Sequence, residues 1–191
     1  MVLANQPMTL NQFLAFDDGT ETLYELEDGT LLPMPPESEL NRRIAMMLLV
    51  FFWQQGIPSE RLTMKTEIAI SGSRSTVRLP DLTILSEELA MALEGASRST
   101  VLLDMPPPDL VVEVVSPGKE NEDRDYRYKR SEYGARRIPE YWIVDPIAQK
   151  VSVLELVNGF YEVMEYEGNR GIVSPLLGTL SLTASQVLRE G

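Results

Sequence analysis

Cysteine and histidine are both absent from these 191 residues. Without cysteine there are no disulfides, no thiolate catalysis and no cysteine-held zinc. Without histidine there is no Ser-His or Cys-His machinery and no imidazole metal ligand. Acid–base or metal work falls to Asp, Glu, Lys, Tyr or water, and an ion held by oxygen alone is Mg²⁺, Mn²⁺ or Ca²⁺. No uninterrupted run of about 18 apolar residues exists. The longest apolar stretch, Ile44 to Trp53, is too short to span a bilayer. The first residues, Met1 to Pro7, lack a basic region followed by a long apolar one, so no secretory signal is visible. A cytoplasmic protein with no membrane partner is the expectation. Cations are scarce too: 17 Lys and Arg against 29 Asp and Glu leave a net charge of −12, which argues against general affinity for nucleic acid.

The remaining cations are unevenly placed. Between Arg124 and Arg137, Arg124, Arg127, Lys129, Arg130, Arg136 and Arg137 face only Asp125 and Glu132. This segment reads either as a solvated helix surface or as a local basic face on an acidic body, the latter compatible with a phosphate ligand. The apolar share of 43% is enough for a proper core.

The chain punctuates clearly. Thr9-Leu10-Asn11-Gln12 matches a capping box and predicts a short first helix. Glu27-Asp28-Gly29 between apolar runs predicts a hairpin over about 23–34. Ile44, Met47, Leu48, Phe51 and Phe52 have helical spacing from Ser38 to about Gln55, stopped by Gly56 and Pro58. Strands are predicted at Leu62–Ile70 and Val77–Leu85, a short helix at Ser86–Leu93, and a buried strand at Leu110–Val115. A polar helix from about Glu120 to Gly134 leads to a second buried strand, Tyr141–Val144. Asn158-Gly159 predicts a further hairpin, and Thr183-Ala184-Ser185-Gln186 caps a last helix. The order defines an α/β or α+β domain with a mixed sheet, with a parallel crossover from Leu110 to Val144.

Two acids stand out because they lie inside apolar strands: Asp81 in Val77–Leu85 and Glu113 in Pro108–Pro117. Burying a carboxylate is costly unless a cation or donors compensate it. Alternation puts Leu79, Asp81 and Thr83 on one side of their strand, and Asp109, Val111, Glu113 and Val115 on one side of theirs. If the strands pair, Asp81 and Glu113 converge on one cation; the plain alternative is that backbone amides or arginines satisfy each. Lys129 has Tyr126 three residues before it and Tyr133 four after it, on the same helical face. It belongs to an aromatic, sheet-facing stripe, or else packs its stem there while its amine reaches water.

Tyr24-Glu25-Leu26-x-x-Gly29, Arg78-x-Pro80-Asp81, Pro108-Asp109-Leu110-Val111-Val112-Glu113-Val114-x-Ser116-Pro117, and Lys129-x-x-x-Tyr133 followed by Pro139-Glu140-Tyr141-Trp142-Ile143-Val144-Asp145 together resemble the Uma2 family, which is similar to restriction endonucleases of the PD-(D/E)XK nuclease fold. The resemblance runs from about Thr9 to the last helix. It implies a restriction endonuclease-like mixed central sheet flanked by helices, with added β-hairpins. It implies a single unit over 1–191, with a helix and hairpin at about 9–34, a nuclease core at about 38–146, and a hairpin and helix at about 147–191. It further implies a metal-dependent endonuclease acting on DNA, with Asp81 and Glu113 holding Mg²⁺ (or Mn²⁺). The usual lysine slot, two residues after the second acid, is Val115 here, so the resemblance implies that Lys129 serves from the following helix. Glu25 falls where the family has an acid in its first hairpin; it is a site residue or simply a hairpin charge. Two departures are visible. Glu39-Leu40-Asn41 stands where the family often has a histidine, and Arg136-Arg137 replaces a glycine often seen before the Tyr-Trp strand. Arg124, Arg127 and Arg130 are candidates to position neighbouring phosphates. A homodimer is compatible with a site that nicks one strand. The competing readings are a catalytically silent nuclease fold that binds nucleic acid or protein, and a structural α/β domain acting through oligomerisation.

Overall fold

The computed structural model describes residues 6–190. Residues 1–5, which carry part of the secretory-signal reading, and Gly191 lie outside the described residues. Thr9 accepts from the Gln12 amide, and Gln12 bonds back to the Thr9 N–H, so the capping box starts α1 (Leu10–Leu14) as its sequence requires. The hairpin β1 (Tyr24–Glu27) and β2 (Thr30–Pro33) turns on Asp28 and Gly29. Both have positive φ, the mirror-image turn that matches strand twist. Ser38 caps α2 (Glu39–Gln54), which buries Ile44, Leu48 and Phe52.

The two middle strands of the sequence each split. Leu62–Ile70 divides into β3 (Leu62–Thr63) and β4 (Glu67–Ile70), and Val77–Leu85 divides into β5 (Thr76–Arg78) and β6 (Leu82–Ile84). The halves lie in different sheets. Alternation runs on through the first break, but at the second its phase shifts at Pro80, from Val77 and Leu79 to Leu82 and Ile84, a mark that a single strand over Val77–Leu85 overlooks. Physically, Pro80 supplies no N–H for a ladder and Lys65 takes a left-handed conformation. The helix α3 (Glu87–Leu93) and the short β7 (Thr100–Val101) follow.

The continuous apolar run becomes β8 (Leu110–Val114), and the next buried run β9 (Glu140–Asp145); they pair in parallel. Between them lie α4 (Lys119–Asp123), a π-helical stretch Arg124–Lys129, and α5 (Arg130–Ala135). β10 (Lys150–Val157) and β11 (Phe160–Glu167) form the Asn158-Gly159 hairpin. β12 (Gly171–Ser174) and β13 (Gly178–Thr183) precede α6 (Ala184–Glu190).

Three sheets result among the described residues. The large mixed sheet has the order β11-β10-β9-β8-β6-β3, and a second has the order β2-β1-β5-β4-β7; β12 and β13 pair alone. The first hairpin is thus part of a five-stranded sheet. On one face of the large sheet, α2 and α6 bury Val112, Val114, Trp142 and Val144. Trp142 packs edge-on against Phe52 as core. On the other face, Val111, Val115, Tyr133 and Tyr141 meet Ile68 and Ile70 of the second sheet. Glu113 shares the parity of Val111 and Val115, so it points into this seam between the sheets. Among the described residues, no helix is long and apolar enough to cross a membrane.

Candidate active site

β6 pairs antiparallel with β8, Leu82 opposite Val112, so Asp81 extends the register opposite Glu113. Asp81 sits where the chain crosses from the second sheet to the large one. Its Oδ2 accepts from the Val114 N–H at 2.7 Å and its Oδ1 from Lys65 Nζ at 2.5 Å. Glu113 is 4% exposed. Its Oε1 accepts from the Tyr133 hydroxyl at 2.6 Å, and Lys129 Nζ lies 2.8 Å from its Oε2.

Lys129, 2% exposed, sits among three acids: Glu113, Asp125 at 3.3 Å and Glu25 at 3.7 Å. Glu25 is fully buried on β1. It accepts from the Leu79 N–H at 3.0 Å and from Arg78 at 3.0 Å. Arg78 also donates to Glu27 at 2.8 Å and makes two bonds of 2.7 Å to Glu132. One guanidinium therefore ties β1 to α5, and with them Glu25 to Lys129.

Burial pushes the Glu25 carboxyl up, but Lys129 and Arg78 more than offset it and hold it at about 2. Burial dominates at Glu113; Lys129 opposes it, while Asp125, Asp81 and Glu25 add to it, and the carboxyl is raised above its ordinary value. Burial pulls the Lys129 amine down, yet Glu113, Glu25 and Asp125 hold it above its ordinary value, so it stays charged.

Asp81, Glu113, Lys129 and Asp125 all line one cavity of about 670 Å³, with Lys65, Asn41 and Arg124. The four residues singled out in the sequence are thus brought together: Asp81, Glu113 and Lys129 on the cavity, Glu25 directly behind the amine. Of the three arginines, only Arg124 reaches it, and its Nε has no acceptor among the described residues. Arg127 is exposed and pairs with Asp123 at 3.4 Å, while Arg130 donates to the Tyr161 carbonyl at 2.8 Å. Neither faces the cavity, because successive helical turns carry them round the helix. Tyr126 is also turned away: its hydroxyl donates to Asp145 at 3.1 Å.

Three contributors escaped the sequence reading. Arg78 belonged to a recognised motif without a role. Lys65 sits in an apparently uniform alternating strand. Asp125 read as one charge in a charged helix. Asn41 donates to the Val114 carbonyl and to Ser116, both at 3.1 Å, so the position lacking histidine still contacts the site strand.

Among the described residues, no group of three or more acids converges closely enough to cage an ion directly. The all-oxygen donor set nevertheless fits a hard divalent cation. One acceptor on the cavity, Asp125 Oδ1, has no hydrogen-bond partner. The two ammoniums on Asp81 and Glu113 show that these carboxylates already hold positive charge.

A mixed sheet with acids on adjoining strands and a lysine from the following helix defines a restriction endonuclease-like protein. The structure is similar to that of a putative nuclease belonging to DUF820 from Anabaena variabilis ATCC 29413, with a TM-score of 0.73 over 96% of this chain and 99% of that one, at 16% identity. At that identity the likeness shows the fold. The profile of Uma2, described as "Putative restriction endonuclease", matches residues 10–185, and the chain belongs to the Uma2 family. No curated protein matches the chain.

Proposed function

We propose that this protein is a metal-dependent endonuclease that hydrolyses phosphodiester bonds in DNA, with residues 1–191 acting as one catalytic unit. The observation that carries the reading is the meeting of Asp81, Glu113 and Lys129 on one cavity. Asp81 and Glu113 would hold Mg²⁺ or Mn²⁺, displacing the ammoniums that now neutralise them. When bound, the ion supplies Lewis-acid polarisation of a phosphoryl oxygen and acidifies water.

The protein's own groups do the rest. Tyr133 and the Val114 N–H fix the two carboxylates, so little reorganisation is needed during reaction. Lys129, kept charged by its acids, stabilises negative charge growing on the phosphate. Glu25 and Arg78 aim that amine from behind. Arg124, on the cavity wall, is the arginine placed to meet a neighbouring phosphate. One site cuts one strand, so a double-strand break calls for a second copy of the chain.

Plasmid nicking with Mn²⁺ at low salt tests the reading. Asp81→Ala and Lys129→Ala should each reduce cleavage by at least about 10²-fold. Unchanged cleavage in either variant removes the role given to that residue. The competing reading is a silent binding domain, supported by the ammoniums already seated on both acids. DNA binding with no Mn²⁺-dependent nicking by the unaltered protein would favour it.

A further inference from the structure

A buried carboxylate without a partner is costly, and such a group calls for an explanation. Asp125 is 2% exposed, and its Oδ1 accepts no hydrogen bond among the described residues. Lys129 Nζ stands 3.3 Å away but out of line for a bond, and it already serves Glu113 at 2.8 Å. Arg124 Nε is 4.0 Å away. In the other acids of the centre each carboxylate oxygen has a close donor or cation: Asp81 has Lys65 and the Val114 N–H, Glu113 has Lys129 and Tyr133, Glu25 has Arg78 and the Leu79 N–H. Among the described residues, Asp125 Oδ1 has no hydrogen bond and only the longer ion pair to Lys129, and the residue lines the same cavity.

The backbone explains how it comes to be there. Asp125 and Lys129 both lie in the π-helical stretch Arg124–Lys129. Such stretches widen the helix and change its register, and they recur at functional sites. Here the wider turn sends Tyr126 toward Asp145 and leaves Asp125 facing inward beside Lys129.

We propose that Asp125 is the third acid of the cation site, taking Mg²⁺ or Mn²⁺ through a bridging water alongside Asp81 and Glu113. This rests on the cation reading of the cavity. A water bridge fits the spacing, since no three acids converge for direct contact, and Mg²⁺ keeps several of its waters in protein sites.

Mn²⁺ binding to the full chain, followed by calorimetric titration, tests this without a cleavage readout. Asp125→Asn should weaken Mn²⁺ binding at least about tenfold. Asp123→Asn, a half-buried neighbour that does not line the cavity, should leave it within about twofold. Glu37→Gln removes a charge from the cavity wall and measures the general electrostatic effect. An Asp125→Asn loss no larger than that of Glu37→Gln overturns the proposal and leaves the roles of Asp81 and Glu113 standing. So does a variant that unfolds more easily without metal yet binds Mn²⁺ normally. Asp125→Ser is read in the same way should the Asn variant fail to fold. An unaltered protein that binds no Mn²⁺ overturns the cation reading itself, and this proposal with it.

Discussion

Arg78 is fully buried and shared by Glu25, Glu27 and Glu132. Removing one partner of a buried ion pair leaves charge stranded. Arg78→Ala should therefore lower unfolding free energy by about 3–5 kcal/mol in urea titrations. Arg127→Ala, which breaks an exposed pair, should stay within about 1 kcal/mol. Glu25 adds a pH dependence. Its folded pKa of about 2 lies below its ordinary 4.5. Its contribution is present above pH 4.5 and lost as pH falls toward 2, because the unfolded chain takes up the proton first. The difference is worth about 3 kcal/mol. The stability gap between the unaltered protein and Glu25→Gln should shrink over that window, as urea midpoints would show. Asp81 and Glu113 were legible because charge in an apolar run is conspicuous, and Lys129 because Tyr126 and Tyr133 flank it at helical spacing. Lys65 and Asp125 were not: one lay in an ordinary alternation and the other in an ordinary polar helix, and only the folded backbone turns them inward.

At the scale of elements, the helix between β8 and β9 is the informative one. Deleting the exposed Tyr128 should remove the extra residue of the π turn and restore regular α geometry. Far-UV circular dichroism should keep its helical signal while Mn²⁺ binding weakens, since the spacing of Asp125 and Lys129 falls from four residues to three and shifts the carboxylate relative to the amine. The exit of the same helix carries a second test. Arg137 adopts a φ of 60°, the conformation glycine holds at little cost. Arg137→Gly should raise stability by about 1 kcal/mol, read from thermal unfolding. That substitution site was visible in the sequence as a missing glycine, although its left-handed backbone was not. Caps and hairpin turns were legible because a few local residues determine them. The break at Met64–Thr66 was not, and that at Leu79–Asp81 shows only as the phase shift at Pro80, since which sheet a strand joins is decided by distant partners.

For the whole molecule, a bound cation should appear as stability. Free Mn²⁺ at about 100 times its Kd adds about 2.7 kcal/mol, or roughly 5–10 °C in Tm for a chain of this size. Asp81→Ala should abolish the rise. The mixed large sheet was readable from its buried runs, and the second sheet was not, because its strands are short and come from three separate stretches between Tyr24 and Val101.

Glu25, Asp81, Glu113 and Lys129 lie far apart along the chain, and each reaches the centre on a different segment. A nascent polypeptide that has emerged only through β8 carries Glu25, Asp81 and Glu113 but not Asp125, Lys129 or the Tyr133 that steadies Glu113. No shorter fragment assembles the centre, so during synthesis any hydrolytic power would switch on late and all at once.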